Sequence, residues 1–150
     1  AVVNVGRMLV QRPRVKYCAA VPDNVSLPEG VTRYRRVAAI CADEPDPHGS
    51  PEWWLWRWGA VRGLSTIPGC INTGNSAWGA LGLAYHLGFR DVLLVGVDGT
   101  DDPRIEGGRC NNLSHLPLLF ESALSQVRIK TVSQMNGIPT TTIEDWIYDI

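Results

Sequence analysis

Apolar positions along the chain fall into short runs divided by polar stretches rich in Gly and Pro, a pattern of alternating strands and helices. Ala1–Val5 (AVVNV) and Val15–Val21 (VKYCAAV) are β-branched runs. They end at Gly6 and at Pro22-Asp23-Asn24, and they predict two strands. Val37–Cys41 (VAAIC) is a candidate third strand, and Ala42–Pro51, with three prolines and several acids, is a solvated loop. In Glu52–Gly63, Trp54, Trp56 and Trp58 alternate as on one face of a strand, while Trp54, Trp58 and Val61 fit a helix face equally well. Periodicity leaves both open there.

The clearest unit runs from Thr66 to Thr100. Thr73, Asn75 and Ser76 are good N-cap residues, and Ala77, Ala80, Leu81, Ala84 and Leu87 follow at helical spacing. Gly88 stops that helix, with Phe89 after it. Val92–Val97 (VLLVGV) reads as a central parallel strand covered on both faces and closed by Asp98-Gly99. Asp101–Ser114 is a polar, Gly-rich loop. Leu116–Val127 repeats at three and four and predicts a helix whose pattern extends toward Met135. Asn136-Gly137 is a stop, and Ile138–Ile143 is a last strand, placed at an edge by Pro139. Residues 1–150 thus read as one α/β domain with a mostly parallel sheet between helical layers.

Composition narrows the function classes. The chain is 45% hydrophobic and 19% charged, which suits a packed core rather than disorder. A net charge of −1 argues against a protein that coats phosphate backbones. The apolar runs are strand-sized, so no membrane partner is expected, and the four scattered cysteines (Cys18, Cys41, Cys70, Cys110) suit reduced thiols in the cytoplasm. His48, His86 and His115 are not at metal-ligand spacings, and no metal ligands are assigned. The Trp53–Trp58 block reads as a hydrophobic plug, a stacking platform for a base or sugar, or a surface for self-association.

Ligands of open parallel sheets bind beyond the carboxyl ends of the strands. Those ends carry Asn4 with Gly6, Asp23 with Asn24, Thr73-Gly74-Asn75-Ser76, and Asp98 with Gly99. The Thr73–Ser76 turn offers hydroxyls, a glycine that lets a ligand near the backbone, and the free N–H groups of a helix start, a natural cradle for an anion or nucleotide. It is neither a GK[ST] phosphate loop nor a GxGxxG fingerprint. Asp98 suits either a ribose hydroxyl or Mg²⁺, with Asp101 and Asp102 nearby, or a plain Asp-Gly turn. His115 opens a helix, where the dipole favours a neutral imidazole fit for general-base work.

Asn72–Thr100, with its Ser-containing turn and LAYHLGFRDVLLVGVD, resembles a broad Rossmann-like family. That family includes bacterial sialyltransferases that use CMP-sialic acid, flagellin-glycosylation proteins, archaeal hydroxymethylpterin pyrophosphokinases and many phage proteins, to which the likeness is greatest. The resemblance extends over most of the chain. It implies that Asn4 contacts the nucleotide and that Asn75 and Ser76 form the turn holding its phosphate. It also equates Gly96-Val97-Asp98 with the family's strand end and His115 with its general base. The first strand and Gly-Asn-Gly-Pro-Ser-type phosphate loop that open the family's fold have no counterpart, which points to a missing N-terminal segment or a degenerate member. The implied activity is nucleotide-sugar-dependent glycosyl transfer with catalytic His115 and Asp98, to a glycan, a protein or a modified DNA base. A Mg²⁺-dependent pyrophosphokinase and a non-catalytic nucleotide-binding or interaction protein are the alternatives.

Overall fold

The computed structural model describes residues 2–3, 17–19, 24, 26–27, 29–39, 41–99 and 112–149. Strands β1 (Val2–Val3), β2 (Tyr17–Ala19), β3 (Thr32–Arg36) and β4 (Cys70–Ile71) lie in that order in one sheet, every pairing parallel. Strands β5 (Asp91–Leu94) and β6 (Arg128–Thr131) form a second parallel pair, in register from Asp91 opposite Arg128 to Leu94 opposite Thr131. Parallel neighbours need crossover connections. Helix α1 (Pro51–Arg57) lies between β3 and β4, α2 (Ser76–His86) between β4 and β5, and α3 (Leu116–Ser122) between β5 and β6; α4 (Ile143–Asp149) follows β6. The chain is therefore α/β with short parallel sheets. Among the described residues no helix is long and apolar enough to cross a membrane.

The tryptophan block is a helix, and its cap decides what periodicity left open. The Ser50 hydroxyl accepts from Trp53 N at 3.2 Å, Pro51 occupies the first turn, and Glu52 and Arg57 sit at the ends that the helix dipole favours. Trp53 is buried, and its indole N–H donates to the Glu44 carboxylate at 2.6 Å. Helix α2 starts and stops where the sequence predicts. Asn75 caps it, and Gly88 (φ 95°) turns the chain so that Phe89 N reaches Ala84 O at 3.0 Å. A Cβ on Gly82 would stand 3.4 Å from the Ile71 Cβ, so α2 lies close on β4.

Four expected boundaries are corrected. The third strand is the polar run Thr32–Arg36, not Val37–Cys41; Val37 adds only a bond from its N–H to the Ile71 carbonyl at 3.0 Å. The strand expected over Val92–Val97 stops at Leu94, where Gly96 (φ 68°) turns the chain, and Val95 is 60% exposed rather than covered. The helix expected over Leu116–Val127 ends at Ser122. Val127, just before β6, and Ile129 and Thr131 within it are buried in alternation, a period of two hidden inside a helical count. Ile138–Ile143 contributes one parallel bridge, Thr140 to Thr131, before Thr142 accepts from Asp145 N at 3.0 Å and α4 begins.

The main core packs Trp78 of α2 edge-on against Phe120 of α3, ring centroids 5.6 Å apart, with Leu81, Leu94, Leu116, Leu119 and Ile129 around them. Full burial of such a side chain contributes about 1.5–3 kcal/mol. Ile71, Leu83 and Tyr34 form a smaller cluster at β4. This packing clamps the start of α3 against the turn that follows β4.

Candidate functional site

Two glycines show how closely the segments at this rim approach. Gly74 has φ +102°, and a Cβ there would stand 2.8 Å from the Ala60 Cβ. A Cβ on Gly99 would stand 2.9 Å from the Pro117 ring in the first turn of α3. The turns after β4 and after β5 therefore both reach this end of the molecule, and His115, the N-cap residue of α3, lies beside the Gly74 backbone.

His115 is 1% exposed and makes no side-chain cap bond. Neither ring nitrogen has a hydrogen-bond partner among the described residues. Burial lowers its pKa from 6.5 to about 4, and the nearby Gly74 backbone opposes that shift without completing a bond. The imidazole is therefore neutral at pH 7, with one nitrogen able to accept a proton.

Other buried polar atoms lack partners in the same two segments: Asn72 Oδ1, Thr73 Oγ1, Trp78 Nε1 and Ser114 Oγ. Buried polar atoms are usually satisfied, so those within 72–78 and 114–115 that have no partner among the described residues make this the candidate site. The Asn72 amide is fixed by donating to the Val61 carbonyl at 2.8 Å and to that of Gly63, which leaves its oxygen free. Two hydroxyls and an indole N–H can donate to an anion, and a neutral histidine can take a proton.

The sequence-predicted residues fare unevenly. Thr73, Gly74, Asn75 and His115 belong to one locality, with Gly99 against Pro117 at the start of α3. The space that Gly74 was expected to open to a ligand is filled by Ala60, so this glycine serves chain packing on that side. Asn75 is spent as a cap: its Oδ1 accepts from Ala77 N at 2.8 Å and Trp78 N at 3.3 Å, which removes two of the N–H groups expected for an anion. Ser76 is exposed, as are Asp98 at the end of the β5 turn and Asn24 in a turn of its own. Asn4, Gly6, Asp23, Asp101 and Asp102 lie outside the described residues. No cluster of three or more potential metal ligands occurs among the described residues.

Asn72, Trp78 and Ser114 were not anticipated. Asn72 and Ser114 flank residues that were, Thr73 and His115, and a polar side chain next to a strand end or cap was the available signal; Trp78, inside the first turn of α2, read only as part of an apolar helix. Comparison with protein-family models, with curated proteins and with solved structures gave no match.

Proposed function

We propose that the chain is a nucleotide-sugar-dependent glycosyltransferase on a three-layer, Rossmann-like fold related to the CMP-sialic-acid sialyltransferases, with His115 as general base. One observation carries the reading: a buried, uncharged imidazole with both nitrogens free, beside a strand-end turn whose Thr73 hydroxyl is also buried and free. Ends of parallel strands are where such folds bind nucleotides, and free donors there suit a phosphate. In the transfer step the acceptor hydroxyl oxygen bonds to the anomeric carbon and the bond from that carbon to the phosphate oxygen breaks. The nucleotide leaves with the electron pair, and His115 takes the acceptor proton. Thr73 and Ser114 donate to the leaving phosphate; Ser76 and Asp98, both exposed, reach the ligand from the solvent side.

A second reading is a nucleotide-binding protein without turnover, favoured by the depth at which His115 sits and by the commitment of Asn75 to capping. Incubation with CMP-sialic acid and other nucleotide sugars, with and without Mg²⁺, separates the two. The transferase reading expects metal-independent release of free nucleotide, lowered at least about a hundredfold in His115→Gln with nucleotide binding retained. Unchanged turnover in that variant removes the base assignment, and Mg²⁺-dependent turnover of ATP to AMP with an acceptor, in place of nucleotide-sugar turnover, favours the pyrophosphokinase alternative.

A further inference from the structure

The tryptophan helix borders a concavity that this reading leaves unused. Between α1, residues 39, 42, 43 and 45, and residues 59–62 lies a cleft of about 360 Å³. Ala39, Ala42, Leu55, Trp56, Ala60 and Val61 wall it, and its lining is mostly apolar. That size and character fit a small organic ligand. The walls are fastened: the Trp56 indole N–H donates to the Ala42 carbonyl at 3.0 Å, and Trp53 holds Glu44 at 2.6 Å, so α1 carries the 42–44 segment with it.

Asp43, Glu52 and Arg62 also line the cleft, and among the described residues none of them has an ion-pair partner. Two carboxylates against one guanidinium leave the lining net negative. An indole in the wall adds attraction for a cation. Ala60 separates this cleft from Gly74, so the two sites are neighbours with no polar residue in common.

We propose that this cleft binds a small organic amine: an apolar body seated against Trp56, Leu55 and Val61, with one ammonium group held by Asp43 and Glu52. The apolar walls supply burial, and the unpaired carboxylates select the sign of the charge. The inference stands apart from the nucleotide reading, since it uses neither His115 nor the turn after β4.

Three probes of nearly equal shape test it: phenethylamine, 2-phenylethanol and 3-phenylpropionate, titrated calorimetrically into the full chain at low salt. The amine is expected to bind about tenfold more tightly than the alcohol, and the carboxylate least of all. Glu52→Gln and Asp43→Asn should each weaken the amine about threefold and leave the alcohol unchanged, and added salt should act in the same direction. Both side chains are exposed, so the variants should keep the circular dichroism and melting of the parent. Equal binding of the three probes, no amine binding at roughly 10 mM, or amine binding indifferent to both variants overturns the proposal.

Discussion

A histidine held neutral by burial makes stability depend on acidity. The folded-state pKa of His115 is about 4 against an ordinary 6.5, so between those values the unfolded chain takes up a proton that the folded chain refuses. The stabilisation is complete above about pH 6.5 and falls away as the pH drops toward 4, by roughly 3 kcal/mol at 1.36 kcal/mol per pKa unit. Urea unfolding at pH 7 and pH 4.5 should show this loss in the parent and a smaller one in His115→Gln, which has no imidazole to charge. Equal losses would mean that other groups carry the acid sensitivity. Gly74 makes a second demand at this scale. Alanine there meets both a left-handed φ and the Ala60 methyl at 2.8 Å, so Gly74→Ala should cost about 3 kcal/mol. Ala60→Gly in the same chain should recover only part, because Ala60 Cα at 3.0 Å remains in the way. A melting temperature unchanged by Gly74→Ala would contradict this packing.

Elements with a chemical start signal were legible, and those defined only by pairing were not. Asn75 and Gly88 fix α2 from sequence alone because capping is local chemistry. Ser50-Pro51 carries the same information for α1, but the tryptophan spacing fits a strand face and a helix face alike, and periodicity alone left the two open. Strand β3 (TRYRR) has no apolar alternation and exists because its backbone pairs with β2 and β4, a contact distant in sequence. Strand β6 lay inside an apparent helix since Val127 fits both a helical and an alternating count. The site was half legible for the same reason: residue types announced Thr73 and His115, whereas which polar atoms end up buried and free depends on the fold. Asn75→Ala tests the cap. It should cost about 1 kcal/mol by denaturant unfolding, with Asn75→Ser nearer the parent. No loss would mean that α2 is held by packing alone.

At the scale of the molecule, every described strand pairing is parallel, and the turns after β4 and β5 meet the first turn of α3. That arrangement gathers polar groups at one end while Trp78, Phe120 and Leu119 pack behind them. The exposed pairs of Arg128 with Asp91 and of Arg128 and Lys130 with Asp149 tie α4 to the opposite surface of β6; being solvated they contribute little, and less still as salt screens them. A phosphorylated ligand at the turn after β4 would bring negative charge beside an imidazole kept neutral only by burial, and an opposite charge favours the protonated ring. Titration of the His115 ring by NMR, without nucleotide and with saturating CMP, tests this most directly. The ring should titrate near 4 in the free chain and rise by about one unit or more with CMP bound; a value near 6.5 in the free chain, or one that CMP leaves unmoved, would rule out a buried neutral imidazole at a nucleotide site.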